Sequence, residues 1–231
     1  MKIQHLHMIE GARQAEGLTV IIDVFRAFSL ECYLHDMNVK AIRPVGSIED
    51  AFRLNEIIPD SVLVGERGGK KCEGFHYGNS PSSVDREYVA GKTIIHTTSA
   101  GTQGIVNAKN ASEVITGSLV NAKAIVEYIK KKDPETVSIV AMGTAGTRTN
   151  PEDELCAEYL IHMLEDREMP DLEERIAGLR TNGGEHFFDP NRQEIFPEQD
   201  YWMCIRHDIF PFVIRMEADE LGFVAKKVPI E

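Results

Sequence analysis

Acidic and basic side chains recur at the ends of short apolar runs, where catalysis on an anionic substrate would need them. Asp23 and Arg26 follow one such run, and Glu66 and Arg67 follow another. Carboxylates can hold Mg²⁺ or orient water, and a guanidinium binds two phosphate oxygens at once. This pattern indicates chemistry on a phosphorylated or otherwise anionic ligand.

The first three of these side chains are the candidate catalytic residues. Asp23 ends an apolar run, so its burial would be costly unless it is paired or bound to metal; the alternative is a helix cap. Arg26 falls in the first turn of a predicted helix, where a cation opposes the helix dipole, which suggests that it faces a ligand. Glu66 is a candidate metal ligand or general base, and the alternative is an ion pair with Arg67.

Hydroxyl-rich and glycine-rich turns follow other apolar runs. Because ligands bind beyond the carboxyl ends of strands in an open parallel sheet, these turns should share one edge with the acids. Asn79 and Ser80 directly precede a predicted helix start, where backbone amides favour anions. The candidate phosphate-binding residues are Arg67, Asn79, Ser80, Thr97, Thr98, Gly101, Thr102, Ser118, Gly143 and Gly146.

Several classes of site are disfavoured by missing motifs. The chain has no G-x-x-x-x-G-K-[ST] phosphate loop. Phe25 stands two residues after Asp23, where a D-x-D phosphatase would carry its second acid, so a covalent aspartyl phosphate is disfavoured. The histidines show no H-E-x-x-H spacing, and we expect His5, His7 and His96 to be packed or surface residues rather than ligands.

Composition limits the partners. The formal net charge of -12 disfavours nucleic acid, which requires concentrated positive charge. No apolar stretch reaches the roughly 18 residues of a membrane span, and the first residues lack a secretory signal. The four cysteines are far apart, without metal-site or disulfide spacing. These features predict a cytoplasmic protein with no membrane or nucleic-acid partner, and they are compatible with a homo-oligomer.

Alternation of short apolar runs with helical patterns predicts a three-layer α/β/α fold with a largely parallel or mixed central sheet. The predicted strands are 3–8, 18–24, 39–45, 62–65, 92–97, 113–116 and 137–142. The predicted helices are 27–37, 48–58, 101–108, 120–132 and 152–167. We expect one domain over residues 1–231, with a smaller C-terminal subdomain from about residue 170 onward.

Six short segments, in order, resemble the 2-phosphosulfolactate phosphatase family. They are Asp23-Val24-Phe25-Arg26-Ala27-Phe28-Ser29, Gly65-Glu66-Arg67, Gly74 with Gly78-Asn79-Ser80-Pro81, Thr97-Thr98 with Gly101-Thr102, Gly117-Ser118 with Asn121, and Glu152-Asp153. The resemblance implies a Mg²⁺-dependent phosphatase acting on a small anionic phosphorylated metabolite, in a step of the coenzyme M biosynthesis type. It adds Ser29 and Asn121 to the substrate-binding set, and it implies Asp23, Glu66 and Asp153 as metal ligands.

The resemblance leaves alternatives for substrate and for function. The family more often has T-T-N-G-T where this chain has the longer Thr97–Thr102 turn. Arg148 also stands just before the acidic pair Glu152-Asp153, where we expect a more apolar residue. A related phosphorylated hydroxy acid is therefore an alternative substrate. A non-catalytic binding or sensor protein for a phosphorylated or sulfonated metabolite would use the same cations and turns. A nucleotide-binding transferase is disfavoured by the missing phosphate loop.

Overall fold

Continuous runs of buried apolar residues form the central strands of the protein. The computed structural model describes residues 1–230. Its strands are β1 (Lys2–His7), β2 (Gly17–Ile22), β3 (Ala41–Pro44), β4 (Val62–Arg67), β5 (Lys70–Lys71), β6 (Thr93–Thr97), β7 (Ala111–Gly117), β8 (Thr136–Ala141), β9 (Phe212–Asp219) and β10 (Gly222–Pro229). Its helices are α1 (Met8–Gln14), α2 (Ser29–Asp36), α3 (Ile48–Ile57), α4 (Arg86–Val89), α5 (Gly101–Asn107), α6 (Ala122–Lys132), α7 (Pro151–Leu164), α8 (Leu172–Gly178) and α9 (Glu198–Cys204).

Helices cover both faces of the sheet. Side chains alternate between the two faces along each strand, so each face presents apolar side chains that a helix can bury. In β2, Ile21 joins one apolar cluster and Val20 joins another. The first cluster includes residues of α1, α2 and α5, and the second includes residues of α6 and α7. The predicted three-layer α/β/α fold is thereby confirmed.

The sheet is mixed, with two parallel groups joined by one hairpin. The strand order is β1-β8-β2-β7-β9-β10-β3-β6-β4-β5. Strands β1, β8, β2 and β7 are parallel to one another, and so are β3, β6 and β4. The β9–β10 hairpin pairs antiparallel with β7 on one side and with β3 on the other. The last strands of the chain therefore lie in the middle of the sheet.

Residues 165–205, which we call the cap, are mainly short helices and turns with their own apolar cluster. Leu172, Ile176, Phe187 and Tyr201 pack together there, against Leu155 of α7. The predicted C-terminal subdomain extends from about residue 170, and the cap accounts for its first part. Residues 212–229 belong instead to the central sheet.

The structure differs from the sequence-based predictions at three helix starts. Helix α1 was not predicted; it is short, contains Gly11, and has no side-chain cap. Helix α2 begins at Ser29 rather than residue 27, because residues 24–28 form a kinked segment. The helix expected just after Ser80 begins only at Arg86, with Asp85 as its cap.

Among residues 1–230, no helix combines the length and apolar character needed to cross a bilayer.

Close contact of β4 with β6 predicts a strict size limit at Gly65. A Cβ atom there would lie 2.4 Å from the backbone oxygen of Thr97. We expect Gly65→Ala to lower the free energy of unfolding by about 1–3 kcal/mol through overpacking. Thermal unfolding should show a decrease of about 2–4 °C in melting temperature per kcal/mol.

Gly178→Ala is the matched control, because a Cβ atom at that position of α8 meets nothing within 4 Å. Its melting temperature should equal or exceed that of the unmodified protein. Equal stability of the two variants would contradict the close approach of β4 and β6.

Candidate active site

Loops that follow β2, β4, β6 and β8 meet around one cavity of about 420 Å³, and the cap closes one side of it. The lining combines acids, cations, glycines and aromatic residues. They are Asp23, Phe25, Arg26, Ala27, Glu66, Gly68, Gly69, Asn79, Ser99, Ala100, Gly143, Thr144, Ala145, Asn150, Glu152, His186, Phe187, Arg192 and Phe196. All three candidate catalytic residues therefore line the same cavity.

The loop between β6 and α5 holds two of the carboxylates. The backbone N–H of Gly101 donates to Oδ2 of Asp23 at 2.8 Å, and that of Ser99 donates to Oε1 of Glu66 at 2.7 Å. Oε2 of Glu66 accepts from the backbone N–H of Gly69 at 2.7 Å. Because amides only two residues apart hold the two acids, the acids are fixed next to each other at the cavity wall.

Asp153 links the ends of two strands from behind the cavity. Its Oδ1 and Oδ2 accept hydrogen bonds from the backbone N–H groups of Val24 and Gly143, each at 2.8 Å. Its own N–H donates to Oδ1 of Asn150 at 3.0 Å, and Asn150 is the N-terminal cap of α7. Asp153 does not line the cavity, whereas its neighbour Glu152 does.

Burial, together with repulsion between the acids, raises the pKa values of three carboxyl groups at this site. Burial, followed by the charges of Asp153 and Glu66, raises the pKa of Asp23 well above its ordinary value. Burial and then Asp153 raise the pKa of Glu152 to about 8, and burial raises that of Asp153 to about 6. Oε2 of Glu152 is buried and has no hydrogen-bond partner among residues 1–230. Such a site attracts either protons or a cation.

Arg26 lies in a kinked backbone segment rather than in the predicted first helical turn. Its φ of 80° and ψ of -62° are non-helical, and its side chain is buried. The guanidinium donates to the backbone oxygens of Ile195 at 2.9 Å and Gly69 at 3.1 Å. It also lies 4.4 Å from the ring centre of Phe196. Arg26 thus joins the cap to the edge of the sheet while it lines the cavity.

The cap supplies cavity residues that the sequence did not indicate. Arg192 lines the cavity, with its guanidinium carbon 4.5 Å from the ring centre of Phe196. His186 lies against the same ring, at 4.6 Å between ring centres. Burial, followed by Arg26 and Arg192, lowers the pKa of His186 to about 4, so its imidazole is neutral at pH 7. These residues lie in an aperiodic, aromatic-rich segment, which carries no signal of its position.

Asn79 is the predicted phosphate contact whose side chain is most clearly positioned for the cavity. It lines the cavity, and its Oδ1 lies 3.1 Å from Nε2 of His96. Nδ1 of His96 lies 2.9 Å from Oε1 of Glu31, and all three side chains are buried. The neighbouring Ser80 instead donates to Oδ1 of Asp200 in the cap at 2.8 Å.

Arg67 and the three threonines predicted to bind phosphate do not line the cavity. The threonines are Thr97, Thr98 and Thr102, and all four side chains bond to one another or to the backbone. Arg67 donates to Oγ1 of Thr97 at 2.9 Å and to the backbone oxygen of Glu66 at 2.7 Å. Oγ1 of Thr98 accepts from the N–H of Thr102 at 3.0 Å, and Oγ1 of Thr102 accepts from the N–H of Thr98 at 3.1 Å. These bonds fix the turn that carries Ser99 and Gly101.

Ser29, Ser118 and Asn121 form a buried group behind the cavity. Ser29 donates to the backbone oxygen of Val24 at 2.7 Å and lies in hydrogen-bond contact with Ser118. Ser118 and Asn121 form a reciprocal capping box before α6. Their contacts stabilise the segment that presents Asp23 and Arg26.

Two glycine amides expected to bind phosphate already bond to carboxylates. The N–H of Gly101 donates to Asp23, and that of Gly143 donates to Asp153. Gly146 lies beside Ile9, and its N–H points to the backbone oxygen of Gly143 at 3.5 Å. The turns therefore position acids, and a role of these amides in phosphate binding stays a prediction.

The raised pKa of Glu152 predicts that the metal-free protein becomes less stable as the pH rises. The carboxyl ionises near its ordinary pKa of 4.5 in the unfolded chain, but only at about 8 in the folded protein. The folded state binds more protons in this interval, so the free energy of unfolding falls from about pH 4.5 to about pH 8. Glu152→Gln cannot ionise. In chelator near pH 9 we expect urea denaturation to show it more stable by on the order of a few kcal/mol.

Glu174→Gln is the control, since Glu174 is exposed on α8. Its stability should follow the same pH dependence as the unmodified protein. An unchanged pH slope in Glu152→Gln would refute the assignment of the raised pKa to this side chain.

Comparison with known proteins identifies the family to which the chain is similar. The family model described as 2-phosphosulpholactate phosphatase matches residues 5–219. A probable 2-phosphosulfolactate phosphatase of Bacillus subtilis is 30% identical over 93% of this chain and 92% of its own length. One from Thermotoga petrophila is 37% identical over 84% of this chain and 86% of its own.

A third relative, the probable 2-phosphosulfolactate phosphatase of Caldicellulosiruptor saccharolyticus, is 39% identical. That match spans 64% of this chain and 62% of the relative, slightly less than two thirds of its length. The family match covers every element from β2 to β8 and the whole cap, including the acids and arginines of the cavity. The chain belongs to the 2-phosphosulfolactate phosphatase family.

Proposed function

We propose that the protein is a Mg²⁺-dependent phosphoric monoester hydrolase that removes phosphate from 2-phosphosulfolactate or a related phosphorylated hydroxy acid. The products would be sulfolactate and phosphate, in a step of the coenzyme M biosynthesis type. The three relatives named above are each described as a probable 2-phosphosulfolactate phosphatase, which supports the proposed substrate class. The observation that carries the proposal is the gathering of three carboxylates and two arginines around one cavity.

The cavity fits Mg²⁺ through Asp23 and Glu66. Both acids line it, are held by the same loop, and keep lone pairs beyond the backbone bonds they accept. Asp153, the third ligand expected from the sequence, is set back: within residues 1–230, the three acids do not bring oxygens within 4.8 Å of one another as a set. One or two carboxylates with water and substrate oxygens are the usual ligands of protein-bound Mg²⁺. When bound, Mg²⁺ would neutralise phosphoryl charge.

The protein's own residues then position the ester and supply a proton. The transition state of phosphoryl transfer is loose and anionic, so positioning and charge stabilisation matter most. Arg26 and Asn79 line the wall beside the acids and would contact phosphoryl oxygens. Water adds to phosphorus, the ester P–O bond breaks, and the leaving oxygen takes a proton from an acid. One proton of the water stays on the product phosphate, and the other restores that acid. Glu152 is our candidate donor, because it lines the cavity, its Oε2 is unpaired among residues 1–230, and burial raises its pKa in the metal-free protein.

Arg192 extends the cationic lining onto the cap. A phosphorylated sulfo-acid carries a carboxylate and a sulfonate in addition to its phosphate, and each requires a donor. His186 cannot neutralise either of these anions, since its lowered pKa of about 4 keeps its imidazole neutral at pH 7. We therefore propose that Arg192 binds the carboxylate or the sulfonate, the two anionic groups remote from the phosphate.

Asp23→Asn should preserve the fold and abolish most of the activity. The amide keeps an oxygen that can accept from Gly101 but loses the charge that would hold the cation. We expect Mg²⁺-dependent phosphate release from 2-phosphosulfolactate to fall by about 100-fold or more. Steady-state phosphate assays with and without Mg²⁺ measure this.

Asp171→Asn, an exposed position before α8, serves as the control and should retain full activity. Unchanged turnover and Mg²⁺ dependence in Asp23→Asn would refute its role in holding the metal. Calorimetric binding of 2-phosphosulfolactate with no phosphate release by the unmodified protein would favour a binding or sensor protein.

Arg192→Gln should weaken recognition of the remote anion more than it slows turnover. Loss of one charge-assisted hydrogen bond costs about 1.5–3 kcal/mol, which corresponds to an increase in KM of roughly tenfold to a hundredfold. The KM for a phosphate monoester that lacks the sulfonate and carboxylate should change much less. Arg180→Gln is the control, because Arg180 stacks on Phe188 and does not line the cavity. A large fall in kcat with unchanged KM would contradict this assignment.

A further inference from the structure

A second group of metal-binding side chains lies outside the cavity, where β1 meets the first turns of α7. His5 and His7 alternate with Leu6 along β1, so both imidazoles project from the same face of the strand. Helix α7 packs over that face and presents Glu154 to them. None of the three side chains lines the cavity.

The three side chains converge on one point. Nδ1 of His7 lies 2.9 Å from Oε1 of Glu154, and Nε2 of His5 lies 3.2 Å from Oε2. The two imidazole ring centres are 4.6 Å apart. One ligand atom from each residue can be chosen so that all three lie within 4.8 Å of one another. Ligand atoms around tetrahedral Zn²⁺ are about 3.4 Å apart, given bonds of about 2.0–2.1 Å. The two histidine-to-glutamate distances, 2.9 and 3.2 Å, are close to that value.

Hydrogen bonding alone leaves part of the cluster unsatisfied. Nε2 of His5 is buried and, although close to Glu154, is not aligned for a hydrogen bond with any group in residues 1–230. A metal ion would satisfy this nitrogen together with the other two ligand atoms. The cluster also remains accessible to an ion, since the side chain of His7 is 41% exposed.

We propose that His5, His7 and Glu154 form a second metal site that binds Zn²⁺. Two imidazole nitrogens and one carboxylate oxygen suit Zn²⁺, whereas Mg²⁺ prefers oxygen ligands alone. Water would complete the coordination from the exposed side. His5 and His7 were expected to be packed or surface residues, because the histidines show no metal-ligand spacing in the sequence. Their carboxylate partner lies 147 residues from His7, so no local pattern could reveal it.

The bound ion would fasten an edge strand to the helix that carries the acids of the cavity. Within residues 1–230, β1 pairs only with β8, and Glu154 directly follows Asp153 in α7. Zn²⁺ bound there would stabilise the folded state, and the gain in the free energy of unfolding would grow with the logarithm of the Zn²⁺ concentration relative to the dissociation constant. The role is structural and independent of the proposed phosphatase activity.

The test uses chelator-stripped, full-length protein and Zn²⁺ in competition with a chromogenic chelator. We expect one Zn²⁺ per chain at this site, and His7→Gln should weaken its binding by at least about tenfold, since even indirect contacts to metal ligands contribute that much. His162→Gln, at the other end of α7, should bind as tightly as the unmodified protein. Glu66→Gln should also leave this affinity unchanged, which separates the site from the acids of the cavity.

Unaltered affinity in His7→Gln, or loss of binding in Glu66→Gln alone, would overturn the proposal. X-ray absorption of the zinc-loaded, unmodified protein gives a readout that does not depend on folding of a variant. Imidazole scattering from two histidines supports the site, and all-oxygen coordination refutes it. Zn²⁺ should also raise the melting temperature at concentrations where Mg²⁺ has no effect.

Discussion

The carboxylate of Asp153 accepts the backbone amides of Val24 and Gly143, so one buried side chain joins the ends of β2 and β8 to the start of α7. Because both oxygens are used, the acid is fixed behind the cavity and adds negative charge to it. That charge is part of what raises the pKa of Asp23 and Glu152. The same bonds that order the loops thus create the electrostatic demand for a proton or a cation.

Much of the fold follows from local patterns, and its exceptions have local causes. The central strands are continuous apolar runs. Ser47 and Asn150, residue types that favour helix N-termini, cap the starts of α3 and α7. Helix α1 lacked such signals, because it is short and has no side-chain cap. The position of β9 and β10 between two parallel groups depends on long-range pairing, which no local pattern encodes.

The site was predictable as a set of strand ends but not in its orientations. Asp23 and Glu66 follow their strands directly, so their presence at the cavity follows from chain direction alone. Which of the two adjacent acids of α7 faces the cavity depends on how that helix is rotated by packing, and the structure turns Glu152 inward. Arg192 comes from the cap, whose irregular backbone gives no periodic signal.

The central position of the β9–β10 hairpin also has a consequence for assembly during synthesis. The two parallel groups touch the hairpin from opposite sides, so neither can join the other through it before residues 212–229 leave the ribosome. Until then, β7 and β3 both present unpaired edges, which are prone to association with other chains. The two groups carry opposed walls of the cavity, so the cavity is completed only when the hairpin inserts between them.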